Sequence, residues 1–200
     1  MSRSFAVNWD YRCPFARIAH EEVMTALESG ADWDVRFVGF ALDQVHVPEG
    51  ESPVWDRPEE FPGLLANLAG IAARDRHPDV FLKLHRALFD ARHEDRLDLR
   101  QRDVVSKILA DAGADEAALL AEVDAGWPLE VLQAEHSAWV AEHAAFGVPT
   151  FLVGDKAVFV RLMSHSGGDG ARAVESIERT LDLIAGWPEL NEFKHTTIAR

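Results

Sequence analysis

The chain is predicted to be an α/β protein whose sheet is interrupted by a long helical insertion, in the order β-α-β, helices, β-β-α. Three observations predict this. Between Phe5 and Phe40 the pattern passes from strand to helix and back to strand. Between Leu64 and Ala145 only helical periodicity occurs. Between Thr150 and Ala185 two β-rich runs are followed by a closing helix.

The elements follow in chain order. Phe5 to Trp9 alternates apolar and polar residues, and Cys13-Pro14 opens a helix running to about Ser29. Pro14 suits a first helical turn, because its missing N–H has no partner there in any case. Ile18, Val23, Met24 and Leu27 form the expected buried stripe, and Gly30 the C-terminal stop. Asp34 to Phe40 reads as a second strand, joined to the first by a right-handed parallel crossover. Val47 to Pro62 holds four of the nine prolines and reads as an irregular loop.

Five helices are expected next, over Leu64 to Asp75, Pro78 to Glu94, Leu99 to Ala112, Asp115 to Ala125 and Pro128 to Ala145. Gly113, Gly126 and Gly147 fall where C-terminal caps belong. Thr150 to Val153 and Ala157 to Val160 then flank a hairpin signal at Gly154-Asp155-Lys156. A helix over about Asp169 to Ala185 follows, and the tail from Trp187 carries no pattern. Residues 1–62 and 146–200 are therefore expected to build one discontinuous domain, and 63–145 a helical subdomain.

Composition narrows the function. A 200-residue chain with 48% hydrophobic residues buries a full core. The net charge of −14 opposes nucleic-acid binding, because a polyanion is repelled at long range. No apolar run approaches the roughly 20 residues that span a bilayer. Met1-Ser2-Arg3-Ser4-Phe5 enters a strand-like run at once, without the pattern of a signal peptide. One cysteine gives no disulfide framework, and a reducing cytoplasm is the expected compartment.

That cysteine, Cys13, lies where the first strand gives way to the first helix. Free backbone N–H groups and the positive end of the helix dipole there favour a thiolate, the nucleophilic form. Arg12 and Arg17 are placed to add to the effect, although flanking arginines are commonly just solvated. Trp9, Tyr11 and Phe15 crowd the same corner and are candidates for the wall of a small-molecule pocket, Trp9 being equally suited to the core. His20 stands about two turns from Cys13, roughly 10 Å by helical rise, and so is a poor general base. His85 with His93, and His136 with His143, lack the i, i+3 or i, i+4 spacing that shares a metal ion, and no metal is expected.

Cys13-Pro14-Phe15-Ala16 at the first helix and Phe146-Gly147-Val148-Pro149-Thr150-Phe151 before the third strand together resemble the DsbA-like family of thioredoxin-fold proteins. In that family a C-P-x-C motif opens the first helix, a helical domain interrupts the fold, and a Val-Pro-Thr string with cis proline faces the cysteine. The resemblance extends from Phe5 to Ala185 and implies a thioredoxin fold. It implies Cys13 as nucleophile, Pro14 and Phe15 as the pair that shapes it, and Val148, Pro149 and Thr150 as the facing loop, with Val148 backbone groups offered to an extended thiol substrate. Ala16 stands where the family has its second cysteine. The resolving thiol must then come from elsewhere.

A monothiol oxidoreductase using glutathione or mycothiol as co-substrate, with no tightly bound cofactor, is the leading expectation. Ala- and Asp-rich composition fits a high-GC source and hence mycothiol. Kappa-class glutathione transferases and 2-hydroxychromene-2-carboxylate isomerases share the inserted topology, and the resemblance places a thiol transferase or isomerase as the alternative. A non-catalytic binding module on the same fold is the third. In those related branches a Ser-Asp or similar pair at the last helix holds the charged end of the thiol. Gly168-Asp169 is comparably placed, although Asp169 is more simply read as a helix N-cap. Expected partners are a small-molecule thiol or thiol-containing substrate, with the chain a monomer or homodimer.

Overall fold

The computed structural model describes residues 3–192 and 194–198. Met1 and Ser2, which begin the segment expected to enter the first strand directly, and Phe193, Ala199 and Arg200 of the patternless tail lie outside them. Strand β1 (Arg3–Trp9) sits inside a four-stranded sheet of order β2-β1-β3-β4. The alternation in its sequence suggests one wet face, yet Ala6 and Asn8 are as buried as Phe5, Val7 and Trp9. A strand flanked on both sides and covered on both faces has no wet face left.

Helix α1 (Pro14–Glu28) returns the chain to β2 (Trp33–Gly39), which runs parallel to β1 in the register Phe5↔Val35, Val7↔Phe37. The helix ends in a paired turn: Ala31 N–H bonds the Ala26 carbonyl, and Gly30 N–H bonds Leu27 with φ +92° at Gly30. Its buried face differs from the expected stripe. Val23 and Met24 are buried, but Ile18 and Leu27 are only partly so, and Ala16, Ala19 and His20 fill the face instead. Small side chains bring this helix close to its neighbours.

A single helical turn, α2 (Leu42–Val45), precedes the irregular region, and two 3-10 turns, Val54–Asp56 and Pro58–Glu60, lie within it. Five longer helices follow: α3 (Leu64–Arg76), α4 (Pro78–His93), α5 (Arg102–Asp111), α6 (Glu116–Asp124) and α7 (Trp127–His143). Helix α5 starts later than its periodicity suggests, because the Asp98 carboxylate takes the Arg100 N–H and holds a turn. Gly147 is not the cap of α7. Ala144 adopts the left-handed conformation there at φ 51°, and Gly147 serves the site described below.

Strands β3 (Thr150–Val153) and β4 (Lys156–Phe159) form the hairpin, with Val153 opposite Lys156 and Gly154 at φ +62° in the turn. β3 is antiparallel to β1 through Ala6↔Leu152 and Val7↔Phe151. Helix α8 (Gly170–Gly186) closes the fold. One continuous core joins sheet residues such as Val7, Phe37 and Phe151 to Leu84, Leu88 and Leu109 of the inserted helices.

β2 is an edge strand. Phe40 N–H bonds the Trp9 carbonyl on the β1 side. On the other side, Gly39 N–H donates to Glu135 at 2.6 Å and the Phe37 carbonyl accepts from Arg74 at 2.9 Å. Arg74 and Glu135 are themselves paired at 3.0 Å.

Candidate active site

Cys13 is the N-cap of α1, with extended backbone angles (φ −87°, ψ 118°) and Pro14 at the first helical position. Its Sγ accepts the Ala16 N–H at 3.5 Å and donates its own proton to the Val148 carbonyl at 3.2 Å. The thiol is partly buried, and burial pushes its pKa up. The Ala16 and Phe15 N–H groups oppose this, Asp10 reinforces it, and Arg161 opposes it. The net direction is upward, so the expectation that the helix start yields a ready thiolate is corrected: desolvation outweighs the free N–H groups.

Arg12 and Arg17 do not assist the sulfur. Arg12 donates to Asp10 at 2.9 Å and to Asp43 at 2.6 Å, and its guanidinium is held charged there against the cost of burial. Asp10 also accepts the backbone N–H groups of Arg12 and Leu42, so this buried carboxylate is fully engaged in shaping the turn before Cys13. Arg17 pairs with Asp90 and Glu94.

The facing loop is built by Asn8. Its Nδ2 donates to the Gly147 carbonyl at 3.2 Å and its Oδ1 accepts the Thr150 N–H at 2.6 Å. Thr150 Oγ1 donates to the same Gly147 carbonyl at 2.9 Å. Where the ladder between β1 and β3 stops, a side chain continues it. Val148 and Pro149, joined by a cis peptide bond, are buried between these anchors, with the Val148 carbonyl turned to the thiol.

Behind the cysteine runs a buried hydrogen-bonded chain. His20 Nε2 lies 3.0 Å from the Asn8 carbonyl, which can only accept. His20 Nδ1 is therefore the acceptor for His85 Nε2–H at 2.9 Å, and His85 Nδ1 for the Tyr11 hydroxyl at 2.7 Å. Burial keeps both rings neutral, lowering His20 to about 4 and His85 well below its ordinary value. His20 is thus no base for Cys13, in agreement with its helical spacing. His93 Nε2–H caps the Tyr11 carbonyl at 2.8 Å, and a Cβ on Gly70 would collide with the Tyr11 hydroxyl. Among the described residues, no three His, Cys, Asp or Glu side chains converge as a metal site.

The structure therefore brings together Cys13, Pro14, Phe15, Val148, Pro149 and Thr150. It does not bring Trp9 or Asp169 to them as ligand-binding groups. Trp9 is fully buried between Tyr11, Phe81 and His85, with the Arg74 Cζ over its ring at 5.4 Å from the centre, and is core rather than pocket wall. Asp169 caps α8 by accepting the Arg172 N–H at 3.1 Å. The next residue, Gly170, abuts Ser29 at the far end of α1, roughly 24 Å of helical rise from Cys13.

Sequence reading missed Asn8, Arg161, Phe159 and Phe146. The Arg161 Cζ lies over the Phe15 ring, 5.1 Å from its centre, and 5.7 Å from the centre of the Phe159 ring, and the Phe146 and Phe159 ring centres are 5.1 Å apart. Asn8 had a signal, being a polar residue between Val7 and Trp9 in a strand with no wet face. Arg161 had none, since it follows the last strand in an unpatterned segment.

Residues 7–179 match the family described as DSBA-like thioredoxin domain. Among solved structures, a 2-hydroxychromene-2-carboxylate isomerase superimposes with TM-score 0.63 at 14% identity, covering 90% of this chain and 96% of that one. A probable DsbA oxidoreductase from Streptomyces coelicolor gives 0.57 at 16%, covering 96% and 93%. A thioredoxin-like oxidoreductase from Silicibacter pomeroyi DSS-3 gives 0.56 at 20%, covering 88% and 85%. At these identities the likeness is one of fold. No curated protein matches the sequence.

Proposed function

The chain belongs to the DSBA-like thioredoxin domain family, and on that premise we propose that it is a thiol–disulfide oxidoreductase working through Cys13 alone, with glutathione or mycothiol as co-substrate. The observation that carries this is the place of the thiol: the start of α1, against the Val148 carbonyl, with Ala16 where a resolving cysteine would stand. Cys13 attacks one sulfur of a small disulfide, forming a mixed disulfide, and its proton leaves with the released thiol. A second small thiol then attacks the mixed disulfide and returns Cys13 to its reduced form, while a new small disulfide departs. Pro14, Phe15, Val148, Pro149 and Thr150 frame the exchange. The reaction is assigned to a reducing cytoplasm, with a monomer or homodimer as the working unit.

Mass spectrometry after incubation with glutathione disulfide or mycothiol disulfide tests the reading. The expected result is an adduct on Cys13 that is absent from Cys13→Ser. No adduct from either disulfide overturns it.

The raised pKa of Cys13 favours a second reading, a thiol-dependent transferase or isomerase. A cysteine kept protonated is a hydrogen-bond donor, able to hold a bound thiolate that itself attacks the substrate. Retention of activity on an electrophilic substrate in Cys13→Ser supports this second reading over the first.

A further inference from the structure

Resting on the reading of Cys13 as the reactive group, we propose that Arg161 is the specificity-determining residue of the site and that it selects substrates carrying a carboxylate on an apolar body. This chain carries 34 acidic residues against 20 lysines and arginines, and its arginines are heavily used by carboxylates. Arg3, Arg12, Arg17, Arg74 and Arg86 each hold two of them or share in a paired network. Arg161, among the described residues, has no carboxylate partner. Its contacts are the ring faces of Phe15 and Phe159.

A cation held over aromatic rings is bound through its charge and not through its N–H donors, which can therefore form a two-pronged contact with a carboxylate. The same charge is felt at Cys13, so the cation and the sulfur share one locality. Phe146, 67% exposed and packed on Phe159, extends the apolar surface beside them. Thiol, cation and aromatic platform are supplied by the start of α1, the segment after β4 and the loop before β3. In a molecule of net charge −14, an anion is repelled broadly and gains a binding partner here.

The inference divides the two co-substrates, since glutathione carries carboxylates and mycothiol carries none. Of the two, only glutathione can engage the cation of Arg161, and a thiol or disulfide that joins a carboxylate to an apolar body also uses the Phe15, Phe159 and Phe146 surface.

The test compares two aromatic disulfides on the full chain: anionic 5,5′-dithiobis(2-nitrobenzoate) and neutral 2,2′-dithiodipyridine. Cys13 attacks a disulfide sulfur of either reagent and releases one arylthiolate, which is read by absorbance. The ratio of the two rate constants is compared with that of N-acetylcysteine, so any change in Cys13 acidity affects both reagents and cancels. The ratio is expected to favour the anionic reagent in the native chain and to fall roughly fivefold in Arg161→Gln. Arg161→Lys should lie between, and added salt should erode the native ratio alone. Equal ratios in native protein and Arg161→Gln overturn the proposal.

A second measurement separates this outcome from failure of exchange. Full-length Cys13→Ser is titrated with 4-(methylthio)benzoate, which cannot react. Binding that weakens in Cys13→Ser/Arg161→Gln upholds the anion site even where no exchange is found. Binding indifferent to Arg161 overturns it.

Discussion

His85 Nε2 donates to His20 Nδ1 across 2.9 Å, tying a helix of the insertion to the helix that begins at Cys13. Because His20 spends its one ring N–H on the Asn8 carbonyl, that acceptor fixes the direction of every hydrogen bond back to the Tyr11 hydroxyl. Asn8 then passes the constraint to Gly147 and Thr150. The turn carrying the thiol and the loop facing it are therefore positioned by one buried network.

Acid should break this network. His20 has a pKa near 6.5 when unfolded and about 4 when folded, so the unfolded chain binds the proton first. Its contribution is fully present above pH 6.5 and is lost as pH falls toward 4, by roughly 3 kcal/mol. His136, also lowered to about 4, adds a loss of the same sign. Urea unfolding at pH 7.5 and pH 4.5 should show the drop, and His20→Gln should reduce it.

Tyr11→Phe leaves His85 Nδ1 without its donor in a dry site. The expected cost is about 1–3 kcal/mol, read from denaturant midpoints at neutral pH. Gly70→Ala should also destabilise, by roughly 1–3 kcal/mol, because the added methyl meets the same Tyr11 ring.

Asn8→Leu keeps the volume and removes two contacts to backbone groups of the facing loop. A loss of about 2–4 kcal/mol is expected, with a change in Cys13 alkylation rate that Tm alone does not explain. Rates measured in conditions where native protein and variant are both folded check this.

Alkylation of native Cys13 by iodoacetamide should rise with pH along a curve displaced above that of N-acetylcysteine. Burial raises the thiol pKa by more than the Ala16 and Phe15 N–H groups lower it. A curve displaced below the free thiol contradicts the desolvation argument.

Ala16→Cys places a second thiol one helical turn from the first, at a position whose N–H already touches Cys13 Sγ. The variant should form an internal disulfide on mild oxidation and exchange with dithiols without a small-thiol co-substrate. Free-thiol titration before and after oxidation reads the outcome.

Element types and their order were legible because they rest on local periodicity and on punctuation such as Pro14, Gly30 and Gly154. The junction of Cys13 with Val148 was legible through paired motifs, which carry long-range information in short strings. What escaped depends on partners distant in sequence. In the sequence His85 is weighed only against His93, and set aside as a metal ligand on spacing, while its partner, His20, is 65 residues away. Trp9 looks like a pocket wall until the inserted helices cover it. Nor does the local sequence weigh burial against a helix dipole at Cys13, since the depth of a sulfur is set by everything packed around it.

The Arg74–Glu135 pair has a consequence for the protein at high concentration. Bare strand flanks are templates for aggregation, and β2 offers one. Its upper half is already saturated, Gly39 by Glu135 and Phe37 by Arg74, both donated by the inserted helices. A foreign strand must displace charged groups that are themselves neutralised, so the insertion acts as a guard rail against edge-to-edge polymerisation.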